Sequence, residues 1–578
     1  ELADGELGGA IIAQTPSGDI NETAATFNRR IVSLYAQDTW QASDNLSLTA
    51  GLRVQWYSGD APRENPNFVQ RYGFSNANAF SDLGTMWLPR FAVDYEFGND
   101  GFFYNTRVTA GVGRFTGGDP VVYFSNAFSN NGFSYGDGDT FSSNCAGLLD
   151  ANGNFNVLSG GSFTGIPDCA LAAGQARAGA GLADTQSTDP NFTLPSVWRG
   201  NLGLSTQFGT QTGFFSNWSL NLDYIYSRFV DTLNFVDLSQ TPDVTSGING
   251  YTVDGRPIYA AIDPTQAGCG ATLQGTGGTP PVWTGVTADC FGTRRDDEIQ
   301  LTNGPSYDSH VVSLLLSKSF NGGLFTSGGR VDMNFGYAWT KAENNRNNGS
   351  STATSSYDVT AAFDRQDPAI SRSNNETRHN ITFAVNLREQ FIQDYDTQLG
   401  FIFIARSGRP YSLTFDGGGV FNDSSSGSDN ALLYIPTGVT DPFLSPDSDP
   451  AAVQSLIEYV EASGCDYDAG QTIARNTCDN DWFFDLDLRF SQEIPGPAHW
   501  IGLTDDRIEL FMDFDNFLNF FDDSWNVSRA RGDFVDVVDG DVDAQGRYVI
   551  TGFNPDDQNF VGTTSSIWRI QLGARYEF

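Results

Sequence analysis

No apolar run in the sequence approaches the ~20 residues that a transmembrane helix needs, so a helical membrane protein is excluded. Basic residues are scarce, 32 Lys and Arg against 70 Asp and Glu, for a formal net charge of −38. That balance excludes a basic patch for nucleic acid or anionic lipid. The acidity reads first as solvation of long surface loops, with attraction of cationic or metal-bearing ligands as the alternative. Histidine is nearly absent, at three residues, and His310 and His379 stand in no close metal-ligand spacing. A G-x-S-x-G elbow, a Walker loop and H-E-x-x-H are all missing, and no catalysis is expected. There is no starting Met and no signal peptide; Glu1 opens into a polar, Gly-rich stretch, as expected of a processed chain or a fragment. Only 18% of residues are charged, yet 13% are aromatic, which argues against disorder. If such a chain meets a membrane, it does so as a β-barrel.

The pattern that is present fits that reading. Strands in lipid alternate apolar and polar side chains over about ten residues between turns. Leu46, Leu48, Ala50, Leu52, Val54 and Trp56 share one face, against Ser47, Thr49, Gly51, Arg53 and Gln55. Val331, Met333, Phe335, Tyr337 and Trp339 oppose Arg330, Asp332 and Asn334, and Ile381, Phe383, Val385 and Leu387 oppose Asn380, Thr382, Asn386 and Arg388. The pattern predicts about thirteen strands, near 30–40, 46–57, 86–97, 102–115, 197–208, 217–238, 307–320, 330–343, 377–389, 395–413, 482–494, 507–519 and 565–578. Their connections alternate strictly, short ones with long ones at 58–85, 116–196, 239–306, 344–376, 414–481 and 520–564. A β-sandwich has no reason to sort its loops in this way; an outer-membrane barrel does, with short periplasmic turns and long extracellular loops. Aromatics near strand ends, among them Trp40, Trp56, Tyr57, Tyr95, Trp198 and Trp218, read as interfacial girdles.

The six cysteines fall as Cys145 and Cys169, Cys269 and Cys290, Cys465 and Cys478, one pair in each of three long connections. An even count paired locally in loops reads as disulfides in an oxidising compartment, which places the long connections outside. Acidic clusters there admit a Ca²⁺ site: Asp539, Asp541 and Asp543 in DGDVDAQG, Asp137 and Asp139 in GDGDT, and Asp150, Asn152 and Asn154 in DANGN. The sixth and twelfth places of an EF-hand loop, counted from Asp539, hold Ala544 and Ile550 rather than Gly and Glu, and a solvated acidic turn is the plainer reading.

If short turns are periplasmic, the first strand runs inward, residues 1–29 are the remnant of an extracellular loop, and Phe578 ends in the periplasm. Single-chain bacterial barrels have even strand numbers, so thirteen strands are expected to be a remainder, with 30–578 the C-terminal portion of a larger barrel. The predicted inward face mixes Arg53, Arg107, Arg330, Arg489 and Arg575 with Asp94, Asp332, Asp487, Glu509 and Asp513, as an open pore or a wall bonded to a folded plug would. Barrels of about 22 strands are the plugged transporters.

LYAQDTW (34–40), followed by LSLTAGLRVQWY (46–57), resembles the barrel of TonB-dependent outer-membrane receptors. TLPSVWRGNLGLSTQF (193–208), NWSLNLDYIYSRFVDTLNFVDL (217–238) and LGARYEF (572–578) resemble the Oar-like branch of that family. The resemblance implies an all-β transmembrane barrel of about 22 strands, a plug and TonB box outside this sequence, and uptake of a ligand held by extracellular loops. It also implies partners: outer-membrane lipid, the TonB complex and an extracellular ligand. Trp568, Ile570, Leu572, Tyr576 and Phe578 resemble the terminal strand by which the barrel-assembly machinery recognises its clients. A passive porin and a surface-adhesion or structural barrel are the alternatives.

Overall fold

The computed structural model describes residues 11–139, 145, 158–159, 162–163, 165–210, 212–276, 278–292, 297–416, 421, 430–503, 506–556 and 560–578. Thirteen antiparallel strands form its main sheet: β1 Arg29–Ser43, β2 Leu46–Gly59, β3 Met86–Asp100, β4 Phe103–Thr116, β5 Ser196–Phe208, β6 Trp218–Val230, β7 Tyr307–Asn321, β8 Arg330–Asn344, β9 His379–Ile392, β10 Tyr395–Arg406, β11 Phe483–Pro495, β12 Arg507–Asp515 and β13 Arg569–Glu577. Each pairs with its neighbours in sequence, so all short turns gather at one rim and all long connections at the other. Among the described residues no pairing joins β1 to β13.

The register places like with like, as a sheet between lipid and a polar lumen requires. Leu220 faces Leu316, which faces Phe335, which faces Phe383, which faces Phe403 in one row across five neighbouring strands. On the opposite face, Arg489 meets Asp513 at 3.2 Å, Arg575 meets Glu509 at 3.2 Å, and the Arg107 Nε donates to Asp94 at 2.8 Å. These pairs are partly exposed and contribute little stability individually. Together they make a wall of alternating sign.

Lys318 and Glu389 stand on the apolar face, and each is folded beneath a short turn. The Lys318 ammonium donates to the Ser216 carbonyl under the β5–β6 turn. Glu389 accepts from the Phe325 and Thr326 amides at 3.2 and 2.8 Å and from the Thr326 hydroxyl at 2.6 Å. An ionised group facing lipid must find such partners or leave the bilayer. Likewise His310 bonds Tyr224 across strands at 2.8 Å and His379 bonds Tyr337 at 2.9 Å, in keeping with interfacial histidines.

Three expected strands run on in sequence after they have left the sheet. The segment 217–238 breaks at Asp231 (φ 53°), beyond which Thr232–Asp237 pairs with Ile299–Gly304 above the rim. In 395–413 the ladder stops at Arg406, and Pro410–Asp416 joins another sheet, parallel to Phe534–Val542. The segment 507–519 ends at Asp515, because Asn516 (φ 54°) starts a short helix, Phe517–Phe521. Extended chain persists through the first two breaks, since a strand half-buried against a loop core has the same period as one facing lipid. Tyr57 corrects the girdle: it is buried among Phe80, Leu83 and Met86, inside the long connections.

Candidate functional site

The long connections are a folded assembly rather than separate loops. One hydrophobic cluster draws Ile258, Ala361, Leu413, Leu433, Leu456, Val537 and Tyr548 from four of them, and a second draws Phe80, Phe124, Phe192, Phe235, Leu301 and Tyr357 from the other two and from two that the clusters share. The first is roofed by helix α1, Pro450–Ser463. Asp449 caps its N-terminus by accepting from the Ala451 amide at 2.8 Å, Pro450 occupies its first turn, and Gly464 ends it at φ 72°. Its buried residues Ala452, Val453, Leu456 and Val460 recur at helical spacing on one face.

Cations tie the connections together. Arg346, fully buried, donates from Nε to the Asn234 Oδ1 at 2.8 Å, from Nη1 to the Tyr357 carbonyl at 3.0 Å, and from Nη2 to the Phe235 and Arg365 carbonyls at 3.0 and 2.6 Å. Burial pushes its pKa down to about 9, so it stays protonated at neutral pH. Arg71 and Tyr72 close on Glu298, both residues of the ion pair being nearly inaccessible. Burial works against the Arg71 charge, and the Glu298 carboxylate more than reverses it. Sequence reading missed these residues: NNRNN (344–348) has the composition of any polar turn.

Beneath and within this assembly lie three hollows. A cleft of about 390 Å³ on the polar wall is lined by Asp94, Glu96, Arg107, Thr109 and Asn201. Another, of about 440 Å³, is lined by Asp332, Asn334, Asp487, Arg489 and Asp513. A third, also about 440 Å³, sits among the connections, with Asp254 and Arg475 set in a lining that includes Phe363, Leu432 and Phe443. The Asp254 carboxylate accepts from the Tyr548 hydroxyl at 2.9 Å, which holds it at one wall. Such a vestibule presents charges of both signs and apolar surface together, the mixture that fixes a small ligand's orientation.

The predicted site residues divide. All three disulfides form as paired by position, Cys145 with Cys169, Cys269 with Cys290 and Cys465 with Cys478. Trp568, Ile570, Leu572, Tyr576 and Phe578 are exposed, and Ile570, Leu572 and Tyr576 oppose Phe514, Met512 and Ile508 on the apolar face. Asp150, Asn152 and Asn154 lie outside the described residues. Asp539 and Asp541 occupy Phe534–Val542, while Asp543 accepts from the Gln545 and Arg547 amides at 2.9 Å and from the Arg547 guanidinium at 2.8 Å. Burial alone would raise the Asp543 pKa, but those hydrogen bonds hold it below the usual carboxylate range. Among the described residues no three His, Cys, Asp or Glu side chains converge as a metal site. The Arg547 guanidinium supplies a counter-charge for Asp543 in this turn. The melting temperature is therefore expected to be the same with and without EDTA; a fall on chelation would restore calcium to this turn.

Residues 5–114 match a family model described as TonB dependent receptor-like, beta-barrel. A search of curated proteins finds no match. Among solved structures, the chain is similar to the siderophore receptor PirA from Pseudomonas aeruginosa, at 10% identity and a TM-score of 0.31, over 85% of this chain and 45% of that one. It is similar to the outer membrane transporter YddB from Escherichia coli at 10% identity and 0.35, over 95% and 55%. For the ferric-catecholate import receptor Fiu from Escherichia coli the values are 9% and 0.32, over 96% and 46%. The chain spans about half the length of these structures.

Proposed function

We propose that this chain, whose wall is a TonB-dependent-receptor-like β-barrel of the outer membrane, serves in energy-coupled uptake of a ligand captured by its long connections. The family match over 5–114 carries the reading. Two features of the molecule support it. The connections share buried cores and enclose a vestibule of mixed charge, as a receptor for a particular ligand needs and a sieve does not. The polar wall also presents salt-bridged charges of both signs, suited to hydrogen-bonding a plug within the lumen. In this reading the long connections face outward, residues 11–28 among them; Ile11–Gln14 pairs with Gly136–Asp139 of the connection after β4. The TonB complex supplies the energy, and a plug gates the passage.

The alternative of a passive porin differs in one measurable respect. Full-length protein in planar bilayers, without TonB, is expected to show no steady conductance. Stable ohmic channels under those conditions would sink the gated transporter and favour the pore.

A further inference from the structure

The last hairpin of the wall is too short for the interface it must meet. Strands β1 to β11 run 12–15 residues, whereas β12 and β13 have nine each. At about 3.3 Å per residue and a tilt near 40°, nine residues rise roughly 23 Å, barely the ~25 Å apolar band. Strands of 14 residues rise about 35 Å and carry aromatic girdles beyond the band. The last hairpin therefore ends before it can supply a girdle at the long-connection rim.

The chain provides one by leaving the strand. Asn516, in the left-handed region, turns it (φ 54°), and its amide donates to Asp487 of the polar face at 2.9 Å. Asn526, where the segment returns, donates to Asp485 of the same face at 3.0 Å. Between these two pins, the Phe517–Phe521 helix lays its rings on the other side. Phe514, the last apolar-face residue of β12, is buried beneath Phe517 and Phe520, with ring centroids at 4.9 and 5.4 Å, and Trp568 stands 6.1 Å away. The outer surface of this cluster is open, with Phe520 50% and Phe521 65% exposed, and Trp525, four residues further on, is 53% exposed.

We propose that Phe517, Phe520, Phe521, Trp525 and Trp568 form a lipid-inserted foot that takes the place of the outer girdle and sets the height of the last hairpin in the membrane. The occupant is lipid because the cluster continues the apolar row Ile508, Leu510, Met512 and Phe514 without a break. Its composition matches an interfacial position, aromatic rings followed at once by Asp522 and Asp523. The proposal rests on the barrel reading above.

A photoreactive benzoylphenylalanine placed at Phe521 or Trp525 of the full-length protein, in intact outer membranes, tests it. Controls are Leu510 on the apolar wall and Ile248, exposed in a long connection. Irradiation is expected to give lipid adducts at positions 521 and 525 within about twofold of the yield at 510, and roughly tenfold above that at 248. Cross-linking of 521 and 525 to a discrete protein would overturn the foot in favour of a protein-docking face. Yields no higher than at 248, with 510 still labelling lipid, would overturn it in favour of a solvated loop. Failure at 510 itself would remove the membrane wall, and the foot with it.

Discussion

Replacing Arg71 with Ala is expected to loosen the external assembly more than any other single truncation there. The guanidinium Nε lies 3.1 Å from a Glu298 oxygen, and the two side chains are 3% and 0% exposed. Breaking a buried ion pair from one side leaves the other charge without its counter-ion in a dry site, which costs about 3–5 kcal/mol. The consequence is local, because the pair joins the helix Pro66–Tyr72 to the connection between β6 and β7, where Phe68 and Tyr72 pack on Val236 and Leu238. At about 1.4 kcal/mol per decade, amide protection in Pro66–Tyr72 and Thr232–Asp237 should fall by roughly two to nearly four decades. Hydrogen exchange on the purified barrel measures this directly. A double change, Arg71→Met with Glu298→Leu, should recover most of the loss, since an apolar pair of similar volume removes both the attraction and the desolvation cost. Protection within about tenfold of the parent in the single variant would show that packing, not the ion pair, holds these connections together.

The same pair marks where reading the sequence stops working. Thirteen wall strands were legible because lipid on one side and a polar lumen on the other impose a period of two over many residues, as in Leu46 to Trp56. The sorting of short and long connections, and the cysteine pairs within the long ones, were legible from spacing alone. Helix α1 was legible and missed: Asp449, Pro450 and Gly464 are an N-cap, a first-turn proline and a left-handed C-terminal glycine in their expected places. It was passed over because a long polar connection reads as loop. Arg71, Glu298 and Arg346 were not legible at all. Their partners are as many as 227 positions away, and no local pattern distinguishes a buried arginine in NNRNN from a solvated one. The breaks at Asp231 and Asn516 fall between these cases, since Asp and Asn are the side chains that tolerate a left-handed backbone, but nothing local says which of many will adopt it.

Phe578→Ala should separate stability from assembly. The terminal ring is 99% exposed, with Tyr576 5.9 Å away as its ring neighbour. Truncating so exposed a side chain removes no core contact, and the assembled protein should keep its unfolding midpoint to within about 0.5 kcal/mol. If the last strand is read by the assembly machinery, as its resemblance to such signals implies, the same change removes an aromatic anchor. Anchors of that kind are worth 1–2 kcal/mol or more at an interface, so the amount of folded protein in the outer membrane should drop by about tenfold or more. The strand is built for such reading: it pairs with β12 along one edge, while Ile570, Leu572 and Tyr576 stand exposed in a row. Heat-modifiable mobility on gels distinguishes folded from unfolded barrel in membrane fractions. A yield equal to the parent would detach the terminal aromatic from assembly. A lowered midpoint in the protein that does assemble would assign the loss to folding instead.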